Sequence, residues 1–320
     1  MSTEQTVEFG RVRSARYAGL GGFTGHSIAP ADRCRAVIAS FPKVGKSCLF
    51  QSCRDGFIFN FDLSSTTSPS PRAVMWPVVD ASGACLLDNG PGLLSWDLCQ
   101  SKIDTLLFLA RTNAPRPRII FFDSLTTWIG LLQPWITAHA QDLRISASPC
   151  TDWKQLHGPA AYDTLFSLVV STINTLYNAG YGVYTAIHVL NDTVAVGENE
   201  LKVEPSLSAS AGLWKRLYPL MEFVAIMDRR LVPRSRVNRR SRTVSGVTTY
   251  FEVPESYNAD CRFLSVDTPM FSKISGGRTQ FSPTEIPKAD GWAAFESSYA
   301  AAVVVAMTPS PDLSTVVPAP

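Results

Sequence analysis

Short apolar segments recur between residues 35 and 228, and they alternate with segments of helical periodicity. The apolar segments span residues 35–39, 56–62, 116–124, 181–189 and 221–228, and each has the length of a buried strand. Residues 101–112 and 162–179 repeat apolar positions at helical spacing, and Gly180 is placed to end the second helix. Because strands and helices alternate, we predict an α/β fold with a mainly parallel, doubly wound sheet.

The pattern changes on both sides of this α/β core, which we place at residues 34–230. Residues 1–33 are of mixed composition. Residues 231–298 begin with an arginine-rich segment and continue with a β-type pattern, which predicts a basic loop followed by a C-terminal β-rich extension. Residues 299–320 end in a stretch rich in Ser, Thr and Pro and are predicted to be a disordered tail.

Composition narrows the classes of protein that fit this chain. Of 320 residues, 45% are hydrophobic and 18% are charged, which suits one large or two modest domains with a buried core. The net charge is +2, so affinity for nucleic acid must come from local basic patches. The seven cysteines form no C-x-x-C pair, which favours reduced thiols over a disulfide framework or a zinc site. The N-terminus lacks the apolar core of a signal peptide, and no apolar run reaches the ~18 residues of a membrane span.

The first predicted strand is followed by the sequence SFPKVGKSC, which is typical of a phosphate-binding loop. In such a loop, Gly45 lets the backbone approach a phosphate, Lys46 reaches the β- and γ-phosphates, and Ser47 binds Mg²⁺. Ser40 stands where the first glycine of the motif is expected, although serine and proline also form turns. The residues that we expect to surround the nucleotide are Ser40, Pro42, Lys43, Val44, Gly45, Lys46, Ser47 and Cys48.

Three polar residues follow other predicted strands, where ligands of open α/β sheets bind. Asp123 ends the third strand and is expected to support Mg²⁺ opposite Ser47, unless it only caps a turn. Asp62 ends the second strand and is expected to position the attacking water, with a structural turn residue as the alternative. His188 closes the fourth strand and either senses the γ-phosphate or is a structural histidine.

Seven arginines and one aspartate lie within residues 228–242, which predicts a mobile basic loop that binds nucleic acid. The alternatives are a solvated loop or arginines that pair with a neighbouring subunit. Arg229 and Arg230 lie at a strand end and could instead approach the nucleotide. Tyr250 and Phe251 alternate in a predicted strand, and we expect core positions for them rather than stacking platforms. The residues expected at the nucleic acid are Arg234, Arg236, Arg239, Arg240 and Arg242.

Several of these segments resemble phage-encoded RecA-like ATPases, specifically nucleotide-binding proteins grouped with single-strand-annealing recombinases. The similarity covers residues 35–281, and it includes FPKVGKS, FNFDLSS, IIFFDSLTTW, DWKQLHGPAAYDTL, AGYGVYTAIHV and FSKISGGRTQF. The resemblance implies a RecA-like P-loop core, with Asp62 in place of the usual glutamate as catalytic acid and His188 at the sensor position. Lys273 and Arg278, which flank a predicted glycine turn, are the implied basic residues that reach a neighbouring subunit's nucleotide.

The motifs and the resemblance together favour a Mg²⁺-dependent ATPase that assembles on single-stranded DNA, or on RNA, as a ring or filament in phage recombination, annealing or replication. A hexameric translocase, such as a helicase or packaging motor, is an alternative with the same core. A nucleotide-switched binding module with weak hydrolysis is a second alternative, because Ser40 and Asp62 depart from the usual motifs. The resemblance implies no membrane association and a cytoplasmic location, in the host cell if the chain is phage-encoded.

Overall fold

A computed structural model describes most of the region between residues 30 and 307. The described residues are 30–61, 78–79, 85–87, 95–156, 158–195, 201–245, 247–266, 276–277, 281, 283–287 and 290–307. They form an α/β structure around a mixed, mostly parallel sheet of nine strands, together with a separate two-stranded sheet. The predicted fold class is confirmed at this level.

The strands are β1 (Arg35–Ser40), β2 (Gly56–Asn60), β3 (Val78–Val79), β4 (Cys85–Leu87), β5 (Ile119–Asp123), β6 (Gly182–Ala195), β7 (Leu201–Leu207), β8 (Phe223–Val244), β9 (Val247–Ser265), β10 (Gly276–Gly277) and β11 (Thr284–Glu285). The helices are α1 (Lys46–Gln51), α2 (Trp96–Arg111), α3 (Leu125–Ala138), α4 (Pro159–Asn178), α5 (Ala211–Leu217) and α6 (Gly291–Met307). Short 3₁₀ turns lie at Ala31–Arg33, Trp153–Gln155 and Tyr218–Leu220.

The centre of the sheet has the strand order β8-β1-β6-β5-β2, and these neighbours pair in parallel. Along β1, Val37 packs on one face of the sheet, whereas Ala36 and Ile38 pack on the other. A strand that is buried on both faces must be apolar at nearly every position. This explains why the central strands are continuous apolar segments in the sequence.

Helices cover both faces of the sheet, and their distribution places a switch point at β1. The helix α1, which follows β1, packs on one face together with α6. The helices α2, α3, α4 and α5, which follow β2, β5 and β6, contribute buried residues to the opposite face. In open α/β sheets, ligands bind outside the carboxyl ends of the strands at such a switch point. The loop that joins β1 to α1 occupies this position.

The C-terminal helix α6 belongs to the packed structure. It continues to Met307, and Tyr299 is buried with its hydroxyl 3.1 Å from the Cys34 sulfur. Residues 299–307 are therefore helical, and the predicted tail begins too early along the chain. Gly276 and Gly277, which were predicted to form a turn, instead pair antiparallel with β8 as the short strand β10.

The arginine-rich segment is a strand rather than the mobile loop predicted from its composition. Most of β8 pairs with β9 in an antiparallel hairpin that extends beyond Ile226, the last residue of β8 paired with β1. We call residues 231–260 of this hairpin the arm. Its paired strands are about 45 Å long at ~3.3 Å per residue. Within the described residues, no helix or further strand pairs with the arm.

Burial settles one further sequence expectation, which concerns two aromatic residues of the arm. Tyr250 and Phe251 are 59% and 44% exposed on the arm, so the prediction that they lie in the core is wrong. Their alternating pattern belongs to a ribbon that has no covering layer on either face within the described part of the chain. The helix α5, by contrast, is packed, with Leu213 and Leu217 buried.

The helix α4 ends where the sequence predicts, because Gly180 adopts a left-handed conformation with φ at 90°.

The described thiols of Cys34, Cys53 and Cys99 are buried and form no disulfides. Burial raises the pKa of Cys34 to about 12. Among the described helices, none combines the length and apolar character needed to cross a bilayer.

Candidate nucleotide-binding site

The loop between β1 and α1 adopts backbone conformations that its sequence favours only in part. Gly45 has φ at 118°, a left-handed value that glycine tolerates and other residues rarely adopt. Lys43 also has a positive φ, of 64°, and is exposed like Pro42. Val44 is buried, and Cys48 is half-buried in α1. Because α1 has six residues, loop amides and Lys46 must supply more of any phosphate binding than the dipole of this helix.

Lys46 and His188 meet beside Ser40 at the end of β1. The Lys46 Nζ donates to Ser40 Oγ at 2.7 Å and to the Ser40 carbonyl at 3.3 Å, and it lies 3.3 Å from His188 Nδ1. An ammonium only donates hydrogen bonds, so Nδ1 is the acceptor in this arrangement. Ser40, predicted to begin the turn, is the last residue of β1 and lies opposite His188 in the sheet.

The strand that contains His188 is longer than the sequence predicts. The sequence predicts that His188 closes this strand, whereas β6 continues to Ala195 and forms a hairpin with β7. His188 nevertheless marks the carboxyl edge of the parallel sheet, because its neighbour β1 ends at Ser40. His188 therefore lies beside the loop, 3.3 Å from Lys46 Nζ.

Ser47 and Asp123, the two residues expected at Mg²⁺, are also in direct contact. The Ser47 hydroxyl donates to Asp123 Oδ2 at 2.5 Å, and Asp123 is the buried last residue of β5. A hydroxyl and a carboxylate are hard oxygen ligands, and Mg²⁺ commonly takes one or two such ligands plus phosphate oxygens and waters. Among the described residues there is no cluster of three or more His, Cys, Asp and Glu that would form an all-protein metal site.

Asn60 is a site residue that sequence reasoning missed. It ends β2 directly beside Asp123 in the parallel ladder, and it is 5% exposed. Its side-chain oxygen Oδ1 has no hydrogen-bond partner within the described part of the chain. A buried acceptor without a partner is costly, and beside the Asp123 carboxylate it is suited to accept a hydrogen bond from a bound water. No sequence motif marks an amide at a strand end, so Asn60 was not predicted.

Arg262 is a second residue that the sequence did not reveal. It lies on β9, yet its guanidinium packs so closely on Gly45 that a Cβ atom on Gly45 would overlap it. Arg229 and Arg230, which the sequence offered as alternative nucleotide contacts, have other partners. Arg229 pairs with Asp260, and Arg230 pairs with Asp228 at 2.9 Å. Their neighbour across the hairpin reaches the loop instead.

Three predicted site residues cannot be placed. Asp62, Lys273 and Arg278 lie outside the described residues. Asp62 follows Phe61 directly, and the Phe61 amide donates to the Asp123 carbonyl at 2.9 Å.

The arginines predicted to bind nucleic acid are all exposed on the arm, mostly on one face. Alternate residues of a strand point to opposite faces, and residues directly opposite in a ladder share a face. Phe251 and Tyr257 share a face with four arginines, because they lie opposite Arg240 and Arg234. These four arginines are Arg234, Arg236, Arg240 and Arg242. Arg239 lies on the other face, with its guanidinium 4.5 Å from the ring centre of Tyr250.

Positive charge on the arm is least compensated towards its tip. Near the base, Arg234 pairs with Glu285, and Arg236 pairs with Glu255 at 3.0 Å. Within the described residues, no ion pair is formed by the distal arginines, which are Arg239, Arg240 and Arg242. The tip therefore presents exposed guanidinium groups beside exposed aromatic rings.

Two comparisons with known proteins give no match that would assign this site to a family. A scan against protein-family models gives no match, and a search of curated proteins gives none. The structure itself defines an α/β protein with a mostly parallel sheet, a lysine-containing loop after β1, and a basic β-arm.

Proposed function

We propose that this protein is a Mg²⁺-dependent, ATP-binding, RecA-like ATPase that acts on single-stranded DNA. The observation that supports it most directly is the hydrogen bond between Ser47 and Asp123, because it joins the two expected metal ligands across 76 positions of sequence. A capping aspartate would not require a serine from the loop after another strand. The switch point at β1 supports the same site.

In this proposal, each described group has a task during nucleotide binding. Lys46 neutralises the β- and γ-phosphates, and His188, which contacts Lys46, senses the γ-phosphate. Ser47 and Asp123 would hold Mg²⁺, which supplies charge neutralisation on the phosphates, while Asn60 orients a water beside them. Asp62 is assigned the positioning of the attacking water.

The arm supports the nucleic-acid part of the proposal. Arginine binds phosphates through a planar, permanently charged group, and exposed aromatic rings stack on unpaired bases. Both occur together on the distal arm, where Arg240 lies opposite Phe251 and Arg239 covers Tyr250. Single-stranded DNA, with accessible bases and a charged backbone, fits this combination.

The test is a measurement of ATP binding and turnover by the purified chain, with Mg²⁺ and with excess chelator. Each is repeated with single-stranded DNA, duplex DNA and RNA. We expect Mg²⁺-dependent turnover that single-stranded DNA stimulates most. Binding without turnover would instead favour a nucleotide switch, and ATP-driven movement along a strand would favour a translocase. A chain that binds no ATP in Mg²⁺ contradicts the proposal.

A further inference from the structure

We propose that Arg262 is a phosphate ligand in cis, which contacts the nucleotide bound by the Gly45–Lys46–Ser47 loop of its own subunit. This inference rests on the proposed function. It adds a cation that the loop motif does not contain, and it assigns that cation to the strand that also forms the arm.

Strand register places Arg262 at the correct edge of the sheet. Ala39 of β1 pairs with Ile226 of β8, and Ile226 pairs with Ser265 of β9. Arg262 lies three residues before Ser265, where β9 has passed the carboxyl end of β1. It therefore projects from the same edge as the β1 loop, which is the edge where ligands of α/β sheets bind.

The end of the Arg262 side chain packs closely on Gly45. A Cβ atom added to Gly45 would overlap Nη1 of Arg262 and would lie 3.1 Å from Cζ and 3.2 Å from Cδ. The whole distal end of the arginine therefore lies against the backbone of the loop. Gly45 is required here for its left-handed φ, whereas an added Cβ atom would displace only the flexible end of Arg262.

The guanidinium has no anionic partner within the described part of the chain. Arg262 is half-buried, and its side chain forms no hydrogen bond or ion pair with any described residue. Its cross-strand neighbour Arg229 already forms an ion pair with Asp260, so the Asp260 carboxylate is not available to Arg262. A guanidinium has five donors in a planar fork, and at Arg262 these donors face the loop without an acceptor from the described residues.

A polyphosphate bound by the loop would supply the missing acceptors. Its oxygens accept paired hydrogen bonds from a guanidinium, and its negative charge attracts both Arg262 and Lys46. A phosphate of nucleic acid passing the base of the arm has the same chemistry. We assign the ligand as the nucleotide, because the contact of Arg262 is with the loop residue that precedes Lys46.

The test compares nucleotide affinity in Arg262→Gln, Arg262→Lys and a control, Arg230→Gln. Arg230 is also half-buried at the base of the hairpin, but it lies on the opposite face, paired with Asp228. Fluorescent ATP and ADP analogues are titrated without turnover. We expect Arg262→Gln to weaken binding of the ATP analogue about tenfold or more. The reason is that a hydrogen bond to a charged group contributes more free energy than one between neutral groups. Arg262→Lys should recover part of the loss, and the control should stay within about twofold of the parent.

Three results would overturn the inference. The first is unchanged ATP and ADP affinity in Arg262→Gln while Lys46→Ala loses binding, which leaves the proposed site intact and removes Arg262 from it. The second is an equal loss in the Gln and Lys variants together with a lower melting temperature, which indicates packing. The third is weaker binding of single-stranded DNA alone, measured without nucleotide, with ATP affinity unchanged. Failure of the parent protein to bind ATP would reject both proposals.

Discussion

At the residue scale, Ser40 shows how a departure from a motif can be compensated. Its hydroxyl accepts from the Lys46 ammonium at 2.7 Å and donates to the Phe41 carbonyl at 2.8 Å. A glycine at this position would offer no side-chain acceptor to a lysine that is 5% exposed. Serine therefore stabilises the buried ammonium.

Lys46→Ala should lower ATP affinity by at least about tenfold and abolish turnover, because the main cation of the loop is removed. The fold should persist, since Leu49 and Phe50 keep α1 anchored in the core. The measurement is ATP titration with a thermal melt, and Lys215→Ala, an exposed lysine on α5, is the control. Unchanged ATP affinity in Lys46→Ala would remove the basis of the proposed function.

Asp62→Asn should keep nucleotide binding and reduce turnover by about 100-fold or more, because a group that activates water contributes this much. The assay is single-turnover hydrolysis of ATP at saturating Mg²⁺. Asp104→Asn, an exposed carboxylate on α2, controls for a general change of charge. Turnover at the parental rate would make Asp62 a structural residue and direct attention to another carboxylate.

The site could be predicted from sequence wherever its residues follow a short motif. Gly45, Lys46 and Ser47 are adjacent, and Asp123 follows a recognisable apolar strand. Asn60 and Arg262 could not be predicted, because the positions of their side chains depend on pairing between distant strands. A one-position shift in register would turn either side chain to the other face. No local pattern specifies that register.

At the element scale, the arm has a composition that sequence reasoning recognised and a conformation that it did not. Arginine, serine and proline in 228–242 are typical of a loop, yet cross-strand pairing with β9 makes this segment a strand. Pairs such as Arg236 with Glu255, and Arg236 over the ring of Tyr257, stabilise the ribbon. An isolated two-stranded hairpin is only marginally stable in water, so a bound partner is expected to order it further.

Replacement of the distal arginines by alanine, in Arg239→Ala/Arg240→Ala/Arg242→Ala, should weaken binding of single-stranded DNA. Removing one arginine–phosphate interaction lowers the salt slope of log K by about 0.7, so removing three lowers it by about 2. Arg54→Ala/Arg111→Ala/Arg144→Ala is the matched control, because it removes the same charge from exposed arginines outside the arm. The measurement is DNA affinity across a salt series, with basal ATPase in parallel.

The alternative for these arginines is pairing with a neighbouring subunit. In that case the triple variant dissociates any oligomer and loses basal ATPase as well, which native mass measurement detects. Intact assembly with unchanged DNA affinity and salt slope would contradict both roles and leave the arm tip as a solvated surface.

At the scale of the whole molecule, the proposal requires assembly. Charge that develops on the γ-phosphate during transfer is stabilised by cations, and the resemblance assigns Lys273 and Arg278 of an adjacent subunit to this task. Arg262 differs from them, because its contact with Gly45 is within one chain. The proposed site therefore combines one cation in cis with others in trans.

Mixing Lys46→Ala subunits with Lys273→Ala/Arg278→Ala subunits should restore part of the ATPase activity. Each parent lacks one half of every site, whereas some interfaces of a mixed oligomer contain both intact halves. Turnover is measured after native mass spectra confirm mixed species. A confirmed mixed oligomer without regained activity would argue against a role in trans.

The continuity of β9 imposes a thermodynamic condition on this protein. One strand runs from the tip of the arm to Arg262 beside the β1 loop, so a ligand that orders the arm at one end can bias the position of Arg262 at the other. Such coupling is reciprocal: whatever factor single-stranded DNA imposes on nucleotide affinity, nucleotide must impose on DNA affinity. We expect both factors to exceed about fivefold with ADP, which avoids turnover, and to collapse towards unity in Arg262→Gln. Four equilibrium titrations measure these factors: DNA affinity with and without ADP, and ADP affinity with and without DNA. A factor near unity in the parent protein would show that the arm and the loop bind their ligands independently.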